Sequence, residues 1–296
     1  AVIYIYITKK SQLLSLRRSL LIGFLLFLGM YIKPTVAIVL AAIILTESLN
    51  WGKKNENFAI YRKLLPVGFI ILGGVPAILG NAIFHKALAN NINSEARFTA
   101  LHYVNMGLNN DSDGVYSSED IDYSTSFPSV RERNLGNLAS IKERLVNFGF
   151  GGYMNFLSRK ALVNFADGSF AWGMEGNFFL KIPERTSAFS KIINSYIIKN
   201  GTHYSKFITA NQFAWYLSLL ILPFLIFVPG RFNKNDIFLL CVSILGIVAF
   251  VMLFEARARY LINFIPVFLV GVGIGYNNLI AIAMDFYKKI KKQGTF

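Results

Sequence analysis

Cysteine is almost absent from this chain, which has a single one, Cys241, among 296 residues. Because Cys241 falls in a long apolar stretch, the polar part of the chain has no disulfide, which is compatible with a bacterial source. Acidic residues are also scarce, at 16 against 30 Lys and Arg. The sequence contains no zinc spacing, phosphate-binding loop, dinucleotide fingerprint or Ser-His-Asp set, so it gives no support to those classes of soluble enzyme.

Apolar residues, in contrast, are abundant. They make up 54% of the chain, aromatics make up 15%, and the mean hydropathy is +0.47, too high for an ordinary soluble domain. Runs of about 18–25 apolar residues predict membrane-spanning helices. Four such runs are Leu65–Phe84, Phe213–Pro229, Ile237–Phe254 and Tyr260–Met284. The sequence therefore predicts an all-α, polytopic transmembrane helical bundle.

The apolar stretch 19–49 is interrupted by Lys33 and Pro34, which predicts either one kinked helix or two short helices in a hairpin. The basic residues favour the hairpin, because cytoplasmic loops accumulate Lys and Arg. An outward turn at Lys33 places four basic groups on the cytoplasmic side: residues 9–18, 53–63, 231–234 and 288–292. This topology predicts a multi-pass plasma-membrane protein with a cytoplasmic C-terminus.

The same topology divides the chain into three parts. Residues 1–84 form transmembrane helices, 85–211 form a mainly helical extracytoplasmic domain, and 212–296 form three transmembrane helices with a basic tail. Within the outer domain, helices are predicted at Ser94–Met106, Ser129–Asn147, Gly151–Leu162 and Ser187–Ile198. Residues 1–7 are apolar but too short to span, and they predict the end of a helix that begins upstream.

The net charge of +14 follows mostly from this topology. Basic residues concentrate in the predicted cytoplasmic segments, where anionic membrane lipids are the natural partners and nucleic acid is not expected.

One charged cluster stands between two apolar runs near the end of the chain, Glu255-Ala256-Arg257-Ala258-Arg259-Tyr260. A charge at membrane depth costs roughly 2.5–3.5 kcal/mol, so such a cluster is by default a candidate functional site. The planar guanidinium group can bind a phosphate through two hydrogen bonds. Glu255 could orient an arginine, and Tyr260 could donate another hydrogen bond. The simpler interpretation is an ion pair at a helix end, with Tyr260 as an interfacial aromatic.

The Arg257-Ala258-Arg259-Tyr260 loop followed by Pro266, together with the Lys33-Pro34-Thr35 turn between short apolar arms, resembles the C-terminal portion of the GT-C superfamily of membrane glycosyltransferases. The closest groups are the protein mannosyltransferase and aminoarabinose transferase families. The resemblance covers the membrane pattern of most of the chain, but its sharp motifs involve few residues.

The resemblance implies transfer of a sugar from a polyprenyl-phosphate carrier to an extracytoplasmic acceptor such as a cell-envelope glycan, lipid or protein. It implies that Arg257 and Arg259 hold the carrier phosphate, with Lys33 as a second contact. Lys33 could equally extend toward lipid headgroups. Relatives carry the catalytic acid in their first outer loop, so the general base is expected upstream of residue 1 and the catalytic residue is unknown.

Further candidates lie in the predicted outer domain. His102, with Tyr103, Asn105 and Asn109, could line an acceptor groove or be structural. The segment 167–176 contains Asp167, Trp172 and Glu175 among glycines, where sugars could stack on the indole or the loop could simply lie on the membrane.

Asp111 and Asp113 suit turn chemistry better than a metal site. A second acidic group, Glu119, Asp120 and Asp122, could contact substrate or form a solvated face. No cofactor is expected, although a divalent metal is possible.

Three other functions remain open. A transporter or flippase of lipid-linked saccharides is disfavoured because the spans are nearly free of charge. A polysaccharide polymerase or ligase would share an arginine-lined phosphate site. A non-catalytic membrane scaffold is the third.

Overall fold

The structure, a computed structural model, describes residues 2–7, 15–49, 59–88, 94–175, 187–227 and 233–293. These residues contain helices and connecting segments but no strand, so the predicted all-α class is confirmed. Among the described residues, four helices are long and apolar enough to cross a membrane: Leu65–Leu88, Tyr204–Ile226, Lys234–Leu253 and Ala258–Lys291. The chain is thus an all-α polytopic membrane protein.

The chain forms two compact units that cut across the three predicted domains. The first comprises Ala1–Ser94 and Pro229–Ile247, and the second comprises Glu95–Val228 and Val248–Phe296.

The first unit is built from α1 (Val2–Ile7), α2 (Leu16–Ile32), α3 (Ala37–Leu49), α4 (Ala59–Leu88) and the first part of α11 (Lys234–Leu253). Helix α2 ends at Ile32, the next residue, Lys33, has an extended backbone, and a 3-10 turn over Pro34–Val36 leads into α3. The 13 residues of α3 are about 20 Å long, less than the roughly 30 Å of a hydrocarbon core.

Two glycines allow α2 and α4 to approach each other closely. A Cβ atom on Gly23 would lie 1.9 Å from the Ile70 carbonyl oxygen, and one on Gly73 would lie 2.1 Å from the Leu20 carbonyl oxygen. Small residues at such a crossing let helix backbones pack in lipid, where no hydrophobic driving force holds helices together. Around the crossing lies a buried apolar core: Tyr6, Ile22, Leu26, Ala42, Ile43, Ile70 and Leu239.

The second unit begins with a helical domain of α5 (Ala100–Gly107), α6 (Ser118–Thr125) and α7 (Val130–Phe165). Ser129 caps α7 by accepting a hydrogen bond from the Glu132 N–H. Gly149, with φ +57°, bends α7 between the two helices that the sequence predicts there. The sequence did not predict α6, and α5 begins six residues later than predicted.

The remaining helices of this unit are α8 (Trp172–Glu175), α9 (Ala188–Ile197), α10 (Tyr204–Ile221) and α12 (Ile265–Gln293). A 3-10 turn over Leu222–Ile226 extends α10 and packs on α12, where Asn278 Nδ2 donates to the Phe224 carbonyl at 2.9 Å. Another 3-10 turn, Ala258–Phe264, precedes α12. The span containing α10 begins nine residues before the predicted Phe213, because its first half is mixed polar and apolar.

Candidate functional site

The predicted arginine cluster lies in the second unit, where Glu255 and Arg257 belong to the short segment after α11, and Arg259 and Tyr260 belong to the 3-10 turn before α12. Arg257 has an extended backbone and is the residue before that turn. The Ala256 N–H donates to the Gly114 carbonyl at 2.7 Å, which ties the segment to the loop between α5 and α6. A Cβ atom on Gly107 would lie 2.5 Å from the Phe254 carbonyl group, so this contact requires glycine. The site is thus held by the helical domain and not only by the membrane helices.

Glu255 is the centre of the cluster. Its carboxylate is buried, with one oxygen 3.2 Å from Arg257 Nε and the other accepting a hydrogen bond from the Tyr260 hydroxyl at 2.9 Å. A buried carboxylate needs such partners, because its transfer from water is costly. The structure therefore brings together Glu255, Arg257 and Tyr260.

Two further contacts complete the arrangement. The Arg257 guanidinium lies 5.9 Å from the ring centre of Tyr116, which belongs to the α5–α6 loop and is half exposed. The Arg259 guanidinium lies 5.8 Å from the ring centre of Tyr260 and is exposed. Cations over aromatic rings gain about 0.5–2 kcal/mol, so both rings favour a defined position for each guanidinium. The chemistry of this set, two guanidinium groups with tyrosines, suits an anion such as a phosphate.

Lys160 and Asn164, one turn apart on α7, contact the two elements that adjoin the segment, α5 and α11. The fully buried Lys160 Nζ donates to the Gly107 carbonyl oxygen, and its cation lies 5.7 Å from the Phe156 ring centre. Burial lowers the pKa of Lys160 to about 8. Asn164 Nδ2 donates to the Val251 carbonyl at 3.1 Å, near the end of α11.

His102 is buried in a polar network of the helical domain. Its Nδ1 lies 2.7 Å from Ser124 Oγ, and its ring stacks on Phe98 with centroids 4.0 Å apart. Burial lowers the pKa of His102, while Asp120 opposes that shift. Its neighbour in the predicted groove, Asn105, is also buried and donates to Asn137 at 3.0 Å. These contacts are those of a structural residue, and a role for His102 in binding an acceptor stays a prediction.

Two residues of the acidic groups, Asp113 and Asp120, are engaged with basic and amide side chains. Asp120 is paired with Arg144 at 2.6 Å and accepts from Asn109 at 2.8 Å. Asp113 is paired with Arg159 at 2.7 Å. Within the part of the chain that the structure describes, no group of three His, Cys, Asp or Glu side chains could hold a metal ion.

Asp167 lies in a tight loop before α8, and Trp172 is the first residue of that helix. Asp167 accepts hydrogen bonds from the Ser169 N–H and hydroxyl and from the Ala171 N–H, at 2.6–2.8 Å. Trp172 Nε1 donates to the Ile197 carbonyl at 3.0 Å. Asp167 thus holds the loop in shape, and Trp172 attaches it to α9. Glu175 ends α8, but its side chain is outside the described part of the chain.

Lys33 lies in the first unit, half buried at the end of α2. Its role as a phosphate contact stays a prediction. The same unit has a buried carboxylate that the sequence reasoning missed, Glu47 of α3, which accepts a hydrogen bond from the Tyr6 hydroxyl. Glu47 is the only acidic residue in the apolar stretch 19–49, and a lone carboxylate in such a stretch is itself a sequence signal for a candidate site. Tyr116 and Lys160 had no such signal, because only the tertiary fold brings Tyr116 to Arg257 and Lys160 to the Gly107 carbonyl.

Searches for similar curated proteins and for similar solved structures find no match. A family model matches almost the whole chain, residues 1–279. This chain therefore belongs to the family described as "Conserved hypothetical integral membrane protein".

Proposed function

We propose that this integral membrane protein is a glycosyltransferase that takes a sugar from a polyprenyl-phosphate carrier and transfers it to an extracytoplasmic acceptor. The observation that carries the proposal is the pair Arg257 and Arg259 at the start of the last span, with Glu255 buried beside them. A lipid-linked phosphate would approach from the bilayer, and its charge matches the guanidinium groups.

The proposed chemistry rests on charge stabilisation. When the bond between sugar and phosphate breaks, negative charge develops on the phosphate that leaves, and fixed cationic donors stabilise that charge most. Arg257 and Arg259 supply the donors, Glu255 positions Arg257, and Tyr116 and Tyr260 flank the two cations. The proposal includes the outward orientation of this segment and the cytoplasmic C-terminus.

Arginine variants in the full-length protein test the proposal. Membranes are incubated with a polyprenyl-phosphate hexose labelled in its sugar, and label leaving the lipid for a new product is followed. Arg257→Ala and Arg259→Ala are each expected to reduce transfer roughly 100-fold or more, as expected when a transition-state donor is lost. Arg131→Ala, an exposed arginine on α7, is the matched control and is expected to keep full transfer.

Two results would overturn the proposal. Full transfer in both arginine variants would remove the phosphate clamp. Label that stays on the lipid but crosses the bilayer would indicate a transporter of lipid-linked saccharides instead. Insertion of each variant is checked by its abundance in the membrane fraction, so that loss of protein is not mistaken for loss of activity.

A further inference from the structure

Helix α9 carries its apolar side chains on one face, and that face is uncovered. Phe189, Ile192, Ile193, Tyr196 and Ile197 recur at spacings of three and four residues. Phe189, Ile192 and Tyr196 are 72%, 60% and 41% exposed, and no residue of α9 is buried. None of the described residues covers this face. Because exposing such an apolar face to water is unfavourable, we expect something else to cover it.

A tight turn joins α9 directly to a membrane span. The His203 N–H donates to the Ser195 carbonyl at 2.8 Å, and α10 begins at the next residue, Tyr204. A Cβ atom on Gly201 would lie 2.3 Å from the Ser195 carbonyl oxygen, so the turn can close only with glycine there. Because Tyr204 also begins the candidate span Tyr204–Ile226, α9 is attached at one end of that span.

Aromatic side chains gather at this end of the span. Trp172 Nε1 donates to the Ile197 carbonyl at 3.0 Å, and the Tyr204 hydroxyl donates to the Gly173 carbonyl at 3.1 Å. The Tyr196 ring lies 4.9 Å from that of His203. Trp and Tyr concentrate at the headgroup level of membranes, where an apolar ring and a polar group can both be satisfied. The cluster therefore marks the interface close to the start of α10.

The charge of this region matches an anionic lipid surface. Residues 187–227 contain three lysines, Lys191, Lys199 and Lys206, and no acidic residue. All three lysines are exposed. On a helical wheel Lys191 lies opposite the apolar face, so α9 can bury that face in lipid and keep this ammonium group in water.

We propose that α9 is an interfacial helix that lies in the membrane plane, with Phe189, Ile192 and Tyr196 inserted at the boundary between headgroups and acyl chains. Lys199 and Lys206, which follow α9 in the chain, contact anionic headgroups. The proposal does not depend on the glycosyltransferase activity, because it uses only the exposure of α9 and its attachment to a span. Lipid is the occupant that the attachment favours, since a helix joined to the end of a span by a tight turn is already at the bilayer surface.

Depth-dependent quenching tests the proposal. The native cysteine is first removed from the full chain by Cys241→Ala. A single cysteine is then introduced on the apolar face, as Phe189→Cys or Ile192→Cys, or on the polar face as a control, as Lys191→Cys. Each new cysteine is labelled with an environment-sensitive fluorophore. Each protein is placed in nanodiscs of phosphatidylcholine and phosphatidylglycerol. Labels at 189 and 192 are expected to be quenched several-fold more than the label at 191 by a lipid with a spin label near the headgroup end of its acyl chain. Aqueous iodide is expected to give the reverse order.

Every other pattern overturns the inference. Equal access of iodide to all three labels would mean that the face remains in water. Protection of 189 and 192 from both quenchers would mean that a protein, either a partner or a second copy, covers it. Nanodiscs without phosphatidylglycerol isolate the contribution of anionic headgroups. Unchanged quenching in those nanodiscs would refute their role. The monodispersity of each variant in detergent shows that the fold is retained.

Discussion

Replacing Lys160 by Met should change how stability depends on pH. Lys160 is completely buried, no carboxylate of the described residues lies within salt-bridge distance of it, and burial lowers its pKa from 10.5 to about 8. Because one pKa unit corresponds to about 1.4 kcal/mol, keeping this ammonium in the fold costs roughly 3 kcal/mol. Below pH 8 the cost is present in full. As the pH rises from 8 to 10.5 the folded protein loses its proton first, so the free energy of unfolding increases over that window.

Lys160→Met should remove this increase. At neutral pH the variant is relieved of the charge cost but leaves the Gly107 carbonyl without its donor, which costs roughly 1–3 kcal/mol. The two effects nearly cancel, so we expect similar stability at pH 7 and a wild-type protein that is more stable by up to about 3 kcal/mol at pH 10.5.

The assay is chemical unfolding in dodecylmaltoside micelles, followed by circular dichroism at a series of pH values. Lys142→Met, an exposed lysine on the same helix, is the control for a general loss of charge and should follow the wild type. If wild type and Lys160→Met have parallel profiles between pH 8 and 10.5, then Lys160 is not a buried cation and the reasoning fails.

Glycines give two further predictions. Gly73→Ala should lower the unfolding free energy by roughly 1–3 kcal/mol, because its Cβ would contact the Leu20 carbonyl, while Gly80→Ala, with open space in the same helix, should be nearly neutral. Gly149→Ala should cost roughly 1–2 kcal/mol because of its positive φ, although nothing obstructs its Cβ. The control is Gly151→Ala, because a Cβ at Gly151 would also meet open space. If Gly149→Ala and Gly151→Ala have equal melting temperatures in thermal unfolding, the bend at Gly149 is not strained.

The membrane class of this protein was predictable from composition alone. Long apolar runs have few alternatives to a spanning helix, and each of the four predicted runs overlaps a helix that could cross a membrane. The boundaries were less predictable where polar residues enter a span. Helix α10 begins with Tyr204, Ser205 and Lys206, which lower the local hydropathy although the helix continues through them.

The core of the candidate site was also visible in the sequence, because Glu255, Arg257 and Tyr260 are near neighbours in the chain. Their contacts need only an extended segment and one turn. His102 was different. A lone histidine on a short helix has the same sequence signal whether it lines a groove or packs in a core, and only the contact with Ser124 and the stacking on Phe98 reveal its surroundings.

The sequence by itself determined which segments enter the membrane and which stay in water, because this depends on the number and spacing of apolar side chains along the chain. Only the tertiary structure decided which distant residues meet the arginines. Tyr116 reaches Arg257 because the Ala256 N–H bonds to the Gly114 carbonyl and because Gly107, at the end of α5, lets the backbone approach Phe254 closely. Such an approach depends on three-dimensional packing. Charge and hydropathy are local properties, whereas the partners of a buried charge are set by the fold that excludes water from it.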